Sequence, residues 1–245
     1  MSQQPVRIAM WSGPRNISTT LLRAWGARPD TFVCDEPLYA HYLQVSGAPH
    51  PAREQVIQSH ETDWRRVADW LTGPVPEGKP IFYQKHMAKH LLPGVGRDWL
   101  GNLTHAFLIR DPADMLASFA RIVPDPTLED TGLPLQCELF DEVAQRTGHA
   151  PPVIDSRDVL ENPAALLQRL CNALEVPYSE EMLHWPAGPR DTDGVWAPHW
   201  YAAVEASTGF APPGPRRGGP PPELAALYDE AMPYYERLSA YRLRA

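Results

Sequence analysis

Cysteine is scarce in this chain. There are three in 245 residues, Cys34, Cys137 and Cys171. They are far apart, odd in number and form no C-x-x-C pair, which argues against both a disulfide framework and a thiolate zinc site. Long apolar runs are absent. No stretch approaches the ~18 residues of a membrane-spanning helix. The opening MSQQPVRIAMW also lacks the layout of a signal peptide, so the expected address is the cytoplasm. Positive charge is in deficit, with 22 Lys and Arg against 30 Asp and Glu, a net charge of −8. That speaks against a broadly basic nucleic-acid coat but leaves room for a local basic pocket that takes an anion. No His, Cys, Asp or Glu spacing matches a metal site. What is present is ordinary globular material, 43% hydrophobic and 21% charged. Its length is enough to bury a core without staples. The excess is in proline, 28 residues, many in the last third. The expectation is a single domain over 1–245, with 185–222 as an irregular, lid-like or wrap-around segment.

Short apolar runs and helical patterns alternate along the first 175 residues. VRIAMW (6–11) reads as a strand, then a turn-rich SGPRN, then a helix from Ile17 to Arg28 with Leu21, Leu22 and Trp25 inward. TFVC (31–34) is a second strand, with Pro37 opening a helix capped by Asp35 or Glu36. Residues 53–72 read as one helix with Val56, Ile57, Val67, Trp70 and Leu71 inward. PIFYQKH (80–86) is a third strand, stopped by Lys85 and His86. THAFLIRD (104–111) is a fourth, followed by a Pro112-led helix carrying Met115, Leu116 and Phe119. Residues 135–147 are helical. PPVIDS (151–156) is a fifth strand before a Pro163-led helix, and Glu223–Leu243 closes with a helix. Such alternation predicts an α/β fold with a mainly parallel sheet of about five strands. Parallel sheets bind ligands at the carboxyl ends of their strands. The polar ends here are Ser12–Arg15, Asp35-Glu36, Lys85-His86 and Arg110-Asp111.

The first strand runs into Ser12-Gly13-Pro14-Arg15-Asn16-Ile17-Ser18-Thr19. A loop entering a helix N-terminus offers free N–H groups to an anion. Arg15 adds a forked cation, and Ser18 and Thr19 add hydroxyls. This is a phosphate cradle without the G-x-x-x-x-G-K-[ST] lysine. An ordinary strand–helix turn with a serine cap fits the same residues. Arg110, at the end of the fourth strand, and Ser118, eight residues on in the next helix, can together grip a second phosphate.

GPRNISTTLL and LIRDPADMLASF resemble the two nucleotide motifs of the sulfotransferases that use 3′-phosphoadenylyl sulfate. WSGPRN and DEPLYAHYL are similar to bacterial sulfotransferase-like proteins. The resemblance covers about residues 5–180 and implies a P-loop-type three-layer fold and a small-molecule acceptor. It implies Gly13, Pro14, Arg15, Asn16, Ile17, Ser18 and Thr19 around the donor's 5′-phosphosulfate, and Arg110 with Ser118 at its 3′-phosphate. The family's loop glycine falls at Ile17. Arg216-Arg217-Gly218 resembles the family's Arg-Lys-Gly element at the 3′-phosphate, although a solvated Pro-rich turn explains it equally well. By the same resemblance Glu36 is the candidate acceptor base, with helix capping as its rival role. Lys85 is a candidate for the bridging oxygen of the leaving phosphate, and His86 or His90 for a substitute base. A solvated His90 and a packing His41 are the simpler readings of those two residues. Trp196, Trp200, Tyr201 and Phe210 suit either an acceptor pocket or a core. Similar proteins have been labelled aminotransferase-like, yet nothing here marks a pyridoxal-phosphate lysine.

Two other functions fit parts of the pattern. A P-loop small-molecule or nucleotide kinase would use Asp111 as its metal-holding strand end, but it lacks the GK lysine. A catalytically degenerate nucleotide-binding module would trace its loss to Ile17. The expected enzyme needs no metal. Its partner is a small molecule, with no nucleic acid and no membrane.

Overall fold

The computed structural model describes residues 4–245. Its strands are β1 (Val6–Ser12), β2 (Thr31–Asp35), β3 (Ile81–Met87), β4 (Thr104–Ile109) and β5 (Val153–Asp155). They form one all-parallel sheet in the order β2-β3-β1-β4-β5. The helices between them are α1 (Ser18–Gly26), α2 (Tyr39–Ser46), α3 (Arg53–Ser59), α4 (Trp64–Thr72), α5 (Pro112–Phe119), α6 (Leu128–Thr131) and α7 (Leu133–Thr147). After β5 come α8 (Ser156–Glu161), α9 (Pro163–Ala173), the short α10 (Ala197–Trp200) and α11 (Ala202–Glu205), and the closing α12 (Ala225–Ser239). The α/β class and the five parallel strands are those the alternation predicts.

The chain divides into two compact units. One comprises the chain up to Met10, Thr19–Thr104 and Ser179–Phe210. Its sheet register sets Thr31 beside Ile81 and Asp35 beside Lys85. Leu21, Leu22 and Trp25 of α1 are buried, and Trp25 stacks on Tyr83 of β3 with ring centroids 5.0 Å apart. A second apolar cluster joins Ala40, Leu43 and Val56 to Trp196, Ala197 and Tyr201.

The other unit comprises Trp11–Ser18, His105–Tyr178 and Ala211–Ala245. Here Ile109 pairs with Asp155. The chain ends by joining the sheet edge, with Leu243 N–H donating to the Val153 carbonyl at 2.8 Å. Helix starts follow the capping rule. Asp111 accepts from Ala113 N–H ahead of Pro112, Asp155 accepts from Arg157 N–H at 2.7 Å, and Asn162 accepts from Ala165 N–H.

Four local readings of the sequence are corrected. Residues 53–72 are two helices, because His60 is extended and Asp63 caps a fresh start by accepting from Arg65 N–H. That restart leaves Trp70 42% exposed rather than inward. Pro37 does not open a helix. Glu36 takes a positive φ of 43°, and α2 begins at Tyr39 without a side-chain cap. Lys85 and His86 do not end β3 but lie within it, buried. The first helix begins at Ser18, not Ile17, because Ile17 sits in the left-handed region at φ 57°.

Candidate functional site

Two clusters of functional side chains stand out, one in each unit. The first is built on the loop after β1. Gly13 permits a close approach, since a Cβ there would lie 2.3 Å from the Thr131 carbonyl oxygen. Its N–H donates to the Gln136 side-chain oxygen at 3.1 Å, while the Gln136 amide nitrogen donates to the Leu108 carbonyl at 3.2 Å. Pro14 is buried. Asn16, 2% exposed, donates to the same Leu108 carbonyl at 3.3 Å. The Ser156 hydroxyl lies 3.0 Å from the Asn16 carbonyl and 2.9 Å from that of Ile109. The loop is therefore pinned from β4, α7 and α8 rather than free.

Arg15 and Ile17 both adopt left-handed backbone, at φ 61° and 57°. The position where the related loops carry glycine thus keeps a glycine conformation with a β-branched residue in it, which is strained. Ser18 is buried at the first turn of α1, and Thr19 follows it, half-buried.

The sequence pair Arg110 and Ser118 comes together with the loop. Arg15 Nε donates to Ser118 Oγ at 3.0 Å, and Arg110 Nη1 donates to the Arg15 carbonyl at 2.5 Å. Burial lowers the pKa of both guanidinium groups. The charge of Arg121 lowers Arg15 further; for Arg110 the charge of Asp114 opposes burial, while Arg15 adds to it. Cations gathered and partly desolvated in this way attract an anion. Arg110, Ser118 and Arg121 line a cavity of about 460 Å³, shared with Ser156, Arg157, Asp114 and the 213–217 segment. Arg216 and Arg217 reach this cavity, but each faces a carboxylate. Arg217 Nε is 3.7 Å from Asp114 and Arg216 Nη2 is 3.8 Å from Glu161. Arg157 ties the segment down, donating to Asp114 at 3.2 Å and to the Gly214 carbonyl at 3.1 Å.

The second cluster lies at the ends of β2 and β3. Lys85, 1% exposed, donates to Asp35 Oδ1 at 2.7 Å, to Glu36 Oε1 at 2.7 Å and to the Tyr201 hydroxyl at 2.9 Å. That occupies all three ammonium protons. Tyr201 donates to Asp35 Oδ2 at 2.5 Å and accepts from Trp196 Nε1 at 3.1 Å. Both Asp35 oxygens and one Glu36 oxygen are thereby taken. Glu36 Oε2 keeps no hydrogen bond among the described residues. His90 Nδ1 lies 3.7 Å from it.

Burial disfavours the Lys85 charge, but Asp35 and Glu36 overcome it and hold its pKa well above the ordinary value. Burial raises the Glu36 carboxyl, with Lys85 opposing. Two carboxylates sharing one ammonium leave one of them short of positive charge.

His90 is buried, not solvated. Its ring stacks on Tyr39 at 4.4 Å and on Tyr42 at 4.7 Å, and burial holds it well below the usual histidine range. His86 is buried too and meets the Gln84 side-chain oxygen at 3.2 Å. His41 Nδ1 donates to the Thr62 carbonyl at 2.8 Å. Trp196 and Tyr201 belong to the core.

Sequence reasoning missed several members of these clusters. Arg121, in the turn after α5, follows Ser118 by three residues, and both line the cavity. Ser156-Arg157 ends a strand as Arg110 does, so the same rule could have found it. Nothing local marks Tyr201 as the partner of Asp35, 166 positions away.

Comparison with known proteins places these clusters in context. Among solved structures, similar folds are a sulfotransferase domain from the curacin biosynthetic pathway (17% identical, 97% of this chain and 99% of that one, TM-score 0.55). A sulfotransferase from Alicyclobacillus acidocaldarius is also similar (14%, 97% and 96%, TM-score 0.53). Two curated Arabidopsis thaliana relatives, branched-chain-amino-acid aminotransferase-like proteins 1 and 2, are 36% and 35% identical over 97% and 96% of this chain. The chain spans only 42% and 41% of their lengths. A model of the sulfotransferase domain matches residues 6–242. The chain therefore belongs to the sulfotransferase-domain family.

Proposed function

We propose that this protein is a sulfotransferase that moves a sulfuryl group from 3′-phosphoadenylyl sulfate to a hydroxyl or amine of a small-molecule acceptor. The observation that carries the reading is the meeting of Arg15, Ser118 and Arg110 beside a 460 Å³ cavity. Arg15 and Arg110 have no carboxylate within ion-pair distance among the described residues, as a phosphate grip requires.

The donor supplies a nearly neutral sulfuryl group on a good phosphate leaving group. In this proposal the 13–19 loop holds the phosphosulfate, and Arg110 with Ser118 holds the 3′-phosphate. Arg15 meets charge that grows on the leaving phosphate oxygen. Glu36 takes the acceptor proton on Oε2, with Oε1 fixed by Lys85. That arrangement makes Lys85 a positioning residue for the base, since its protons are already engaged. His86, bonded to Gln84, is the weaker base candidate. Capping by Glu36 finds no support, because its carboxylate meets Lys85 rather than the N–H groups of α2.

A nucleotide panel tests the reading. Adenosine 3′,5′-bisphosphate should bind without metal, and adenosine 5′-monophosphate more weakly. Binding only of ATP with magnesium would replace the proposal with a kinase, and binding of none would replace it with a degenerate module.

A further inference from the structure

The cavity of the second unit is lined by five arginines, and they divide by partner. Arg157 and Arg217 face Asp114, and Arg157 and Arg216 face Glu161. Arg110 and Arg121, on the other hand, have no carboxylate within ion-pair distance among the described residues. Arg121 lies in the turn just beyond α5, three residues after Ser118. It lines the cavity together with Ser118 and Arg110. It is exposed, and its charge reaches Arg15. Arg110 and Arg121 are thus the two cavity arginines without an ion pair among the described residues, although the charge of Asp114 supports Arg110 from farther off.

We propose that Arg121 is a third anion-recognition residue, which grips a phosphomonoester dianion together with Arg110 and Ser118, while Arg216 and Arg217 remain held by Glu161 and Asp114. The chemistry is direct. A dianion has enough acceptor oxygens for several guanidinium donors, and Arg15 and Arg110 already give one donor each to Ser118 and to the loop carbonyl. Asp114 already pairs with Arg157 and Arg217, which leaves Arg121 as a cavity cation with no ion pair among the described residues. The negative end of the α5 dipole also favours a cation there, so stability must be read separately from binding. Only the identity of the anion rests on the sulfotransferase reading. The location of the dianion does not.

The test is calorimetry on the intact protein with Arg121→Gln, Arg121→Lys and the exposed-surface control Arg169→Gln, each shown by its thermal midpoint to be folded at the temperature of the titration. Arg121→Gln should weaken adenosine 3′,5′-bisphosphate by about ten-fold or more, the scale of one charge-assisted contact. It should leave adenosine 5′-monophosphate nearly unaffected and lower the salt dependence of bisphosphate binding. Arg121→Lys should recover part of the loss, and Arg169→Gln should resemble the parent. Equal losses for both nucleotides, or no loss for either, would overturn the proposal. If the parent protein binds no bisphosphate, the donor reading fails on its own. Inorganic phosphate then serves as the probe, and the proposal stands or falls on whether Arg121→Gln weakens it.

Discussion

At the scale of single residues, the chemistry turns on which oxygen of which carboxylate is left unbonded. Asp35 has both oxygens occupied, one by Lys85 and one by Tyr201. Glu36 has one occupied and one without a hydrogen bond among the described residues. The left-handed backbone of Glu36 turns its side chain toward Lys85 instead of along α2. Glu36→Gln keeps the shape and removes the basicity. It should lower kcat by about 10²–10⁴, the usual worth of a general base, with bisphosphate affinity little changed. His86→Ala should cost clearly less. Single-turnover kinetics on the two variants decide between them, and a reversed order of severity would move the base to His86. The identity of Glu36 as a candidate was legible in the sequence, because a strand end followed by Pro37 is a recognisable place. Its bonding was not. The Lys85 ammonium that defines it comes from a position 49 residues away, and no local pattern encodes that meeting.

At the scale of elements, the sequence exposed the strands and the loop and misread what interrupts them. Polar Lys85 and His86 looked like a strand end. They lie inside β3 because the buried charge of Lys85 is met in full by its neighbours. The helix over 53–72 was predicted from apolar spacing alone, and the spacing continues through a break that only the Asp63 cap reveals. The loop after β1 carries a sharper conflict. Ile17 holds a φ that a β-branched residue adopts at a cost of about 1–2 kcal/mol. Ile17→Gly should therefore be more stable than Ile17→Ala by about 1 kcal/mol, since both lose the branched side chain and only alanine keeps the clash. Urea unfolding of the two variants measures the difference. An alanine variant as stable as the glycine one would show that the backbone there is unstrained. Tighter bisphosphate binding by Ile17→Gly would show in addition that the isoleucine side chain obstructs the cradle.

At the scale of the whole molecule, buried histidines shape the response to acid. Burial lowers His50, His60 and His90. For His90 the charges of Lys89, Lys85 and His86 add to the effect. A histidine with a depressed native pKa is protonated in the unfolded chain first, near an ordinary value of about 6.5. The unfolded state then binds more protons, so stability falls as pH drops below that value. For His90, 3% exposed, the slope reaches about 1.4 kcal/mol per pH unit. His90→Phe keeps a ring between Tyr39 and Tyr42 and removes the titration. Its unfolding midpoint between pH 7.5 and pH 5.5 should fall less steeply than that of the parent, and an identical slope would place the histidine's acid response elsewhere.

The central claim is that Arg110, at the end of β4, holds the 3′-phosphate of a sulfuryl donor. Titration calorimetry of adenosine 3′,5′-bisphosphate in metal-free buffer, on the parent protein and on Arg110→Ala, tests it most directly. The account predicts metal-independent binding by the parent. It predicts a loss of about 2–4 kcal/mol in the variant, the cost of removing one side of a desolvated charge-assisted contact, with no fall in thermal midpoint. Unchanged affinity in a folded Arg110→Ala protein would contradict it.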